Sequence, residues 1–301
     1  MPKFYDEETL RRLQQTELEI LKDFMELCDR HGLIYFGIAG TGIGAKRHGG
    51  FIPWDDDIDI AMPRRDFERF LKLAKKELSD RYIPLNAAYD SRFPMMTTRL
   101  MKKGTLFIEE ALKDAHCPCG IFLDIYVLDN VADGRIAYEL QSWEAWFWSK
   151  LLVLRRLPRP FLFQTGIKAR LIWAVCGAVH TGLRILRVSP EWLRRRCERV
   201  CRRYEKKNTR RMAFLPDTSP YWNVVDKTKL YPLRRMEFSG LQVPFANNME
   251  ELLTNQYGDY MTLPPLEKRK THYPYRLKFG RPDTGKESAT EQSGKDEEPC
   301  M

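Results

Sequence analysis

The sequence predicts an α+β chain that carries a helical, basic insertion, and three observations lead to that expectation. Short apolar or alternating runs at 33–39, 57–62, 120–128 and 239–246 read as strands, with segments of helical periodicity between them. Charge is unevenly spread: residues 141–211 hold 18 Lys or Arg and 4 Asp or Glu, a local +14 in a chain whose net charge is +9. At 301 residues, 43% hydrophobic and 30% charged, the chain can bury a sizeable core and has an ordinary globular composition.

Taken in order, residues 6–30 form an amphipathic helix, because Leu10, Leu13, Leu21, Phe24 and Cys28 recur at three-, four- and eight-residue steps. Gly32 suits its C-cap. Leu33–Ala39 reads as a buried strand, broken by the glycine-rich turn Gly40-Thr41-Gly42-Ile43-Gly44. Asp57–Met62 alternates in period two and is closed by Pro63; Asp66–Leu78 is a helix with Phe67, Phe70, Leu71 and Ala74 on one face. Gly120–Leu128 is a strand that is apolar except for Asp124, and a single charge inside a buried strand marks a site. Residues 141–211 turn Trp-rich, Arg-rich and helical, with breaks near Pro158–Pro160 and Ser189–Pro190. Ser239–Ala246 returns to strand, and Asn247 caps a helix that runs to Tyr257 and ends at Gly258. The expected organisation is a core built from 1–140 and 212–280, a helical insertion at 141–211 and a polar, disordered tail at 281–301.

No apolar leader precedes the first helix, and the most apolar segments do not reach a bilayer span. Gln141–Leu154 contains Glu144 and Lys150, and Leu171–Leu183 is 13 residues long, against the roughly 20 that a span takes. Seven cysteines, an odd number, fit reduced thiols in the cytosol.

The stretch Gly40–Ile60 carries the chemistry. Side chains alternate along a strand, so Asp57 and Asp59 share one face while Ile58 and Ile60 enter the core. Two carboxylates on one face repel, and such a pair persists where a hard cation sits between them. Mg²⁺, with Mn²⁺ as a substitute, prefers that oxygen ligation beside substrate phosphates. Asp124, alone in its strand, is the third carboxylate, and Asp55 is a fourth candidate ligand if the strand begins early. The glycine cluster supplies backbone N–H groups that can approach a phosphate, and Lys46, Arg47 and Arg64 are candidate phosphate clamps. Solvated acidic loops and surface cations are the bland readings of the same residues. The apolar alternation and the second stranded aspartate weigh against them.

Gly40-Thr41 followed by Asp57-Ile58-Asp59-Ile60 resembles the glycine-then-aspartate signature of the polymerase-β-like nucleotidyltransferase fold. The longer string GTGIGAKRHGGFIPWDDDIDIAMPRRDFERF resembles one branch of it, the LicD family. GIFLDIYVLD, VPFANNMEELLTNQYGDYMTLPP and His272 are similar to that family's later blocks, so the resemblance covers about 30–130 and 235–275. It departs at Gly42, where the family pattern has leucine. The resemblance implies a mixed β-sheet core flanked by helices, with Asp57, Asp59 and Asp124 as catalytic and metal-binding residues. Gly40, Thr41, Arg47, Arg64 and His272 would line the substrate site. It further implies Mg²⁺-dependent phosphotransfer from a CDP-alcohol donor, CDP-choline or CDP-ribitol, to a hydroxyl of a glycan or lipid-linked glycan acceptor. A nucleotidyltransferase moving a nucleoside monophosphate to an alcohol or RNA would use the same carboxylates. A non-catalytic, membrane-docked scaffold is disfavoured because buried carboxylates without a use are costly.

Weaker signals remain. Trp54, Tyr126, Tyr221 and Trp222 could box a quaternary ammonium group through their ring faces, although most aromatics simply pack. Cys117-Pro-Cys119 and Cys197 with Cys201 lack the usual paired zinc spacing, so no zinc is expected. Four of the seven tryptophans fall in 143–173 among arginines. That pattern predicts peripheral docking of 141–211 on the anionic inner face of a membrane, in preference to nucleic acid; a helical subdomain with a solvated basic face is the bland alternative.

Overall fold

In the computed structural model, residues 5–160, 162, 166–217, 219, 221–269 and 271–280 are described. The expected tail at 281–301 lies outside them. The elements, in chain order, are α1 (Glu7–Arg30), β1 (Phe36–Gly37), α2 (Ala39–His48), β2 (Asp59–Pro63), α3 (Arg64–Glu77), β3 (Tyr82–Leu85), β4 (Thr98–Lys102), β5 (Leu106–Glu109) and β6 (Phe122–Asn130). Then follow α4 (Arg135–Arg156), α5 (Gly166–Ile185), α6 (Pro190–Cys201), β7 (Arg211–Phe214), β8 (Asn223–Asp226), α7 (Lys227–Leu230), β9 (Arg234–Phe238), β10 (Leu241–Phe245), α8 (Met249–Tyr257) and β11 (Pro274–Lys278).

The main sheet runs β3-β4-β6-β2-β1-β10-β9, with β7 and β8 extending from the end of β6. It is mixed: β2 lies parallel to β6 and β1 to β10, and the other pairs are antiparallel. β5 and β11 form a separate antiparallel ribbon. This is the expected α+β architecture. Ile58, Ile60, Ile125, Phe36 and Phe245 are fully buried at the centre, and Phe24 of α1 stacks edge-on against Phe70 of α3 from one face.

Several expectations change in detail. The strand foreseen over 33–39 pairs only at Phe36–Gly37, and the glycine turn after it is the helix α2. Glycines mid-helix cost about 1 kcal/mol each relative to alanine, so propensity argues for a turn. Packing decides otherwise: a Cβ on Gly44 would strike the carbonyl oxygen of Gly50. Close approach of this helix to the following turn therefore needs glycine. Gly42, the departure from the family pattern, faces Leu253 and Met249 of α8, where a Cβ would meet Leu253 Cδ2 at 3.4 Å. Gly42→Ala should thus leave the fold intact and raise stability by up to about 1 kcal/mol, readable in a urea melt. A loss above that would mean α8 cannot give way. The last core helix is N-capped at Asn248 and not Asn247, without a side-chain bond.

The first helix of the basic segment, α4, starts at Arg135. Its buried face packs on α6 and β7 through Tyr138, Ala145, Cys197, Val200 and Ala213, a small second core. Gln141, fully buried there, accepts from the N–H of Ala132 and donates to the carbonyl of Val200.

Candidate active site

The register of two parallel strands builds the centre of the site. Asp59 opens β2 and stands opposite Asp124 in β6, and the Asp124 N–H donates to Ile58. The loop 52–58 leads into β2, and Asp57 sits near its end, close enough for its charge to act on Asp59. Asp59 and Asp124 are buried; Asp57 keeps slight exposure. Burial, and then the charges of Asp57 and Asp124, hold the Asp59 carboxyl well above its usual range. Burial also pushes the Asp57 carboxyl up, to about 6, against the opposing pull of His272. One oxygen of Asp59, Oδ1, is buried without a hydrogen-bond partner. A buried carboxylate oxygen without a donor is expensive unless something else meets it. These residues fit a divalent cation held by Asp57 and Asp59 with Asp124 beside them, although no single site of ligand-length contacts joins all three.

Three ligand-type side chains that do converge are Asp56, Asp57 and His272, whose donor atoms all lie within 4.8 Å. Asp56 is already occupied, because it is fully buried and accepts from the Tyr5 hydroxyl at 2.6 Å and from the His272 backbone N–H at 2.8 Å. His272 Nδ1 stands 3.3 Å from Asp57 Oδ2, and the Asp57 and Asp56 carboxylates keep the imidazole protonated well above its normal range. His272 thus pairs with Asp57 inside the one group of ligand-type side chains among the described residues that converges closely enough to hold a metal. Its half-exposed ring suits contact with a phosphate.

The other expected residues divide into those at the centre and those claimed elsewhere. Thr41 is central: its hydroxyl accepts the Asp59 N–H at 2.8 Å, which ties α2 to the start of β2. Gly40 is central through close approach, since a Cβ there would stand 2.9 Å from Asp55 Oδ2. Asp55 thus lies against the first turn of α2, with its carboxyl raised by burial and then by Asp57 and Asp56. Gly40→Ala should displace Asp55 and cut turnover by about tenfold or more, with a modest loss of melting temperature. Unchanged kinetics would remove Asp55 from the site.

Two of the three expected clamps are paired away from the carboxylates, and the third, Arg47, is within reach of the Asp55 charge but hydrogen-bonds elsewhere. Arg64 makes a bidentate pair with Asp129 of β6, at 2.8 and 2.6 Å, with both side chains largely buried. Arg47 donates to the carbonyl of Tyr260 and to His48, and Lys46 pairs with Glu250 on α8. Each arginine had a phosphate reading in sequence because a guanidinium matches carboxylate and phosphate forks alike. Arg64→Met should therefore destabilise the fold by about 3–5 kcal/mol, because it leaves Asp129 buried without its partner. A folded variant with only a raised KM would restore the phosphate reading.

Three residues that the motifs did not mark, Arg99, Glu109 and Glu17, complete the site. Arg99 of β4 is buried and bridges Asp124 at 3.1 Å and Glu109 at 2.9 Å, with its guanidinium 3.7 Å from the Phe122 ring centre. Burial opposes its charge, but Glu109 and Asp124 keep it firmly protonated. Glu17 of α1 is buried toward the acidic loop, its Oε2 without a partner. Burial, followed by Asp57, Asp56 and Asp55, raises its carboxyl well above the usual range. Sequence did hold a signal for it: position 17 is four residues from both Leu13 and Leu21, inside the apolar stripe of α1.

The aromatics do not form one box. The Arg269 guanidinium lies 4.1 Å above the Trp54 ring, and Tyr126 packs edge-on against Phe214. Tyr221 and Trp222 instead line a cavity of about 260 Å³ with Arg211, Asn255 and Gln256. Trp222 reaches back through an edge contact with Tyr257, whose hydroxyl is raised by burial and then by Asp59, Asp57 and Asp55. The six cysteines among the described residues are free thiols.

Comparison with known proteins places this geometry. Residues 32–103 match the family model described as the LicD/FKTN/FKRP nucleotidyltransferase domain, a span that contains Asp55, Asp57, Asp59 and Arg99. The chain is 29% identical over 272 residues to the "Lipopolysaccharide cholinephosphotransferase LicD" of Haemophilus influenzae, covering 88% of this chain and 96% of that one. Shorter likenesses join it to uncharacterized proteins of Rickettsia typhi, 38% over 55 residues, and Rickettsia prowazekii, 42% over 48 residues. Each of these covers 18% of the relative's length.

Proposed function

We propose, from the match of residues 32–103 to the LicD/FKTN/FKRP nucleotidyltransferase domain and the likeness to the Haemophilus protein, that the protein is a phosphotransferase moving phosphocholine, or a related phosphoalcohol, from a CDP-activated donor to a glycan hydroxyl. CMP would leave, and the acceptor would be a cell-surface glycan or its lipid-linked precursor. The observation that carries this reading is the likeness to the Haemophilus cholinephosphotransferase over almost the whole of both chains.

Asp57 and Asp59, with Asp124, would hold Mg²⁺ or Mn²⁺, which when bound neutralises charge on the pyrophosphate oxygens. The acceptor hydroxyl oxygen bonds to the choline-bearing phosphorus as the bond from that phosphorus to the CMP oxygen breaks, and CMP departs with the electron pair. The hydroxyl proton passes to a carboxylate. Asp124 would take it, a reading supported by Arg99 holding its Oδ1 and by burial raising its carboxyl above the ordinary range. His272 contributes a protonated imidazole beside Asp57, where it would pair with a phosphoryl oxygen. Thr41 and Gly40 set the position of Asp59 and Asp55.

The test is to incubate the purified protein and Mg²⁺ with CDP-choline, CDP-ribitol or nucleoside triphosphates in turn, and to follow CMP. Release of CMP from a CDP-alcohol is expected. Pyrophosphate from a nucleoside triphosphate, with no CMP from either donor, would move the assignment to nucleotidyl transfer.

A further inference from the structure

We propose that the outer face of α5 is a docking surface for an anionic lipid bilayer, and that it holds the protein on the membrane without crossing it. The helix Gly166–Ile185 has one fully buried residue, Ala169, so nearly all of it faces outward or lies along a neighbour. What it presents outward is apolar. Ile167 is 76% exposed, Leu171 63%, Val175 64% and Ile185 74%, with Ala174 and Ala178 also exposed between them. At 100° per residue these six positions fall on one stripe, and the exposed cations Lys168, Arg170 and Arg184 flank it. A solvated helix carries the reverse pattern, apolar inward and charged outward. Single exposed apolar residues are common, but a continuous stripe of them is not.

Charge complementarity selects the occupant. Residues 145–190 contain eight Lys or Arg and no Asp or Glu, so the chain that carries the stripe and runs into and out of it brings positive charge only. By contrast, the arginines of α6 are partly spent within the protein. Arg194 is held by Glu191 and Glu198, and Arg195 by Glu191. A second copy of this chain would bring the same positive face against itself, which disfavours self-association. A bilayer offers an apolar boundary beneath anionic headgroups, which matches the stripe and its flanks together. The helix is also braced to lie rather than insert: Trp173 Nε1 donates to the Pro160 carbonyl at 3.0 Å, and His180 Nδ1 lies 2.7 Å from the Leu154 carbonyl. No single helix among the described residues is long and apolar enough to cross a membrane; α5 and α6 reach that length and apolarity only as a pair bent by 109°, and the second member of the pair carries the arginines of α6.

The experiment is flotation of the purified full chain with vesicles of phosphatidylcholine alone or mixed with phosphatidylglycerol, at low and high salt. Binding is expected to the mixed vesicles, weak to phosphatidylcholine, and reduced by salt. The variant Ile167→Gln/Leu171→Gln/Val175→Gln changes only exposed positions and should weaken vesicle binding about 100-fold with an unchanged melting temperature. Arg170→Gln/Arg184→Gln/Arg187→Gln should weaken it by roughly 100-fold as well, at about 1 kcal/mol for each charge near the surface. The proposal is overturned if the wild type does not float, or if the apolar variant floats as well as the wild type. It is also overturned if size-exclusion shows a dimer that the apolar variant dissolves, or if the protein binds single-stranded RNA tightly while ignoring vesicles. Vesicle binding is read without any donor or acceptor, so it stands or falls apart from the phosphotransfer reading.

Discussion

Asp59→Asn is expected to reduce turnover by about three orders of magnitude, near 4 kcal/mol of transition-state stabilisation, while making the metal-free protein more stable. Asp59 is buried, its Oδ1 has no hydrogen-bond donor, and it shares its surroundings with Asp57, Asp124 and Asp55. Removing one charge from such a group relieves repulsion, and an amide brings a donor of its own. The pH dependence follows from the same carboxyls. Their folded pKa values lie above those of the unfolded chain, so the stability they contribute is full below about pH 4 and is lost as the pH rises. For Asp57 that loss passes through about 6. Metal-free wild type should therefore melt lower at pH 7.5 than at pH 5, with a difference on the order of 2 kcal/mol, and Asp59→Asn should flatten the profile. Saturating Mg²⁺ should reverse the trend in the wild type and do little in the variant, since only an intact carboxylate set gains from the cation. Asp57→Asn should lose as much activity with a smaller gain in stability, because it also breaks the contact with His272. Calorimetry with and without Mg²⁺ reads both effects. Wild-type turnover in Asp59→Asn at saturating Mg²⁺ would remove the metal assignment.

The parts of this fold that were legible in sequence are those where one local pattern and the tertiary structure agree. Ile58 and Ile60 are fully buried because β2 lies between β1 and β6 over an apolar layer, and the alternation places Asp59 off that layer, with Asp57 in the loop just before the strand. Gly120–Leu128 reads as a strand because most of β6 is buried from end to end. What sequence could not supply was the pairing. Nothing local says that Asp59 stands opposite Asp124, or that Arg99 of β4 reaches the same carboxylate, because register belongs to the assembled sheet. Strands such as Tyr82–Leu85 and Asn223–Asp226 are four residues long and partly exposed, too short to show a period. The glycines of α2 misled for a different reason. Local propensity favoured a turn, and close packing against Gly50 and Asp55 overrode it. Arg64 looked like a phosphate clamp because its partner, Asp129, lies 65 residues away in sequence.

The Arg99 fork should prove the most costly single support of the site. Arg99→Met is expected to destabilise the protein by about 3–5 kcal/mol, since it leaves Glu109 and Asp124 buried without their shared counter-charge. Arg99→Lys keeps a charge but not the fork, and one ammonium at the end of a flexible chain cannot hold both carboxylates in line. That variant should fold, with turnover reduced about 100-fold, because a carboxylate displaced by about 1 Å costs that much. Metal affinity should move the other way in Arg99→Met. With the guanidinium gone the site is more negative, so Mg²⁺ should raise the melting temperature of the variant more than that of the wild type. A purely structural arginine would not produce that opposed pair of changes. The charge argument can be closed by a cycle: adding Glu109→Gln and Asp124→Asn to Arg99→Met should recover most of the lost stability and none of the activity. If the triple variant is no more stable than Arg99→Met, then lost packing of the guanidinium on Phe122 is the cause, and the charge bridge is not.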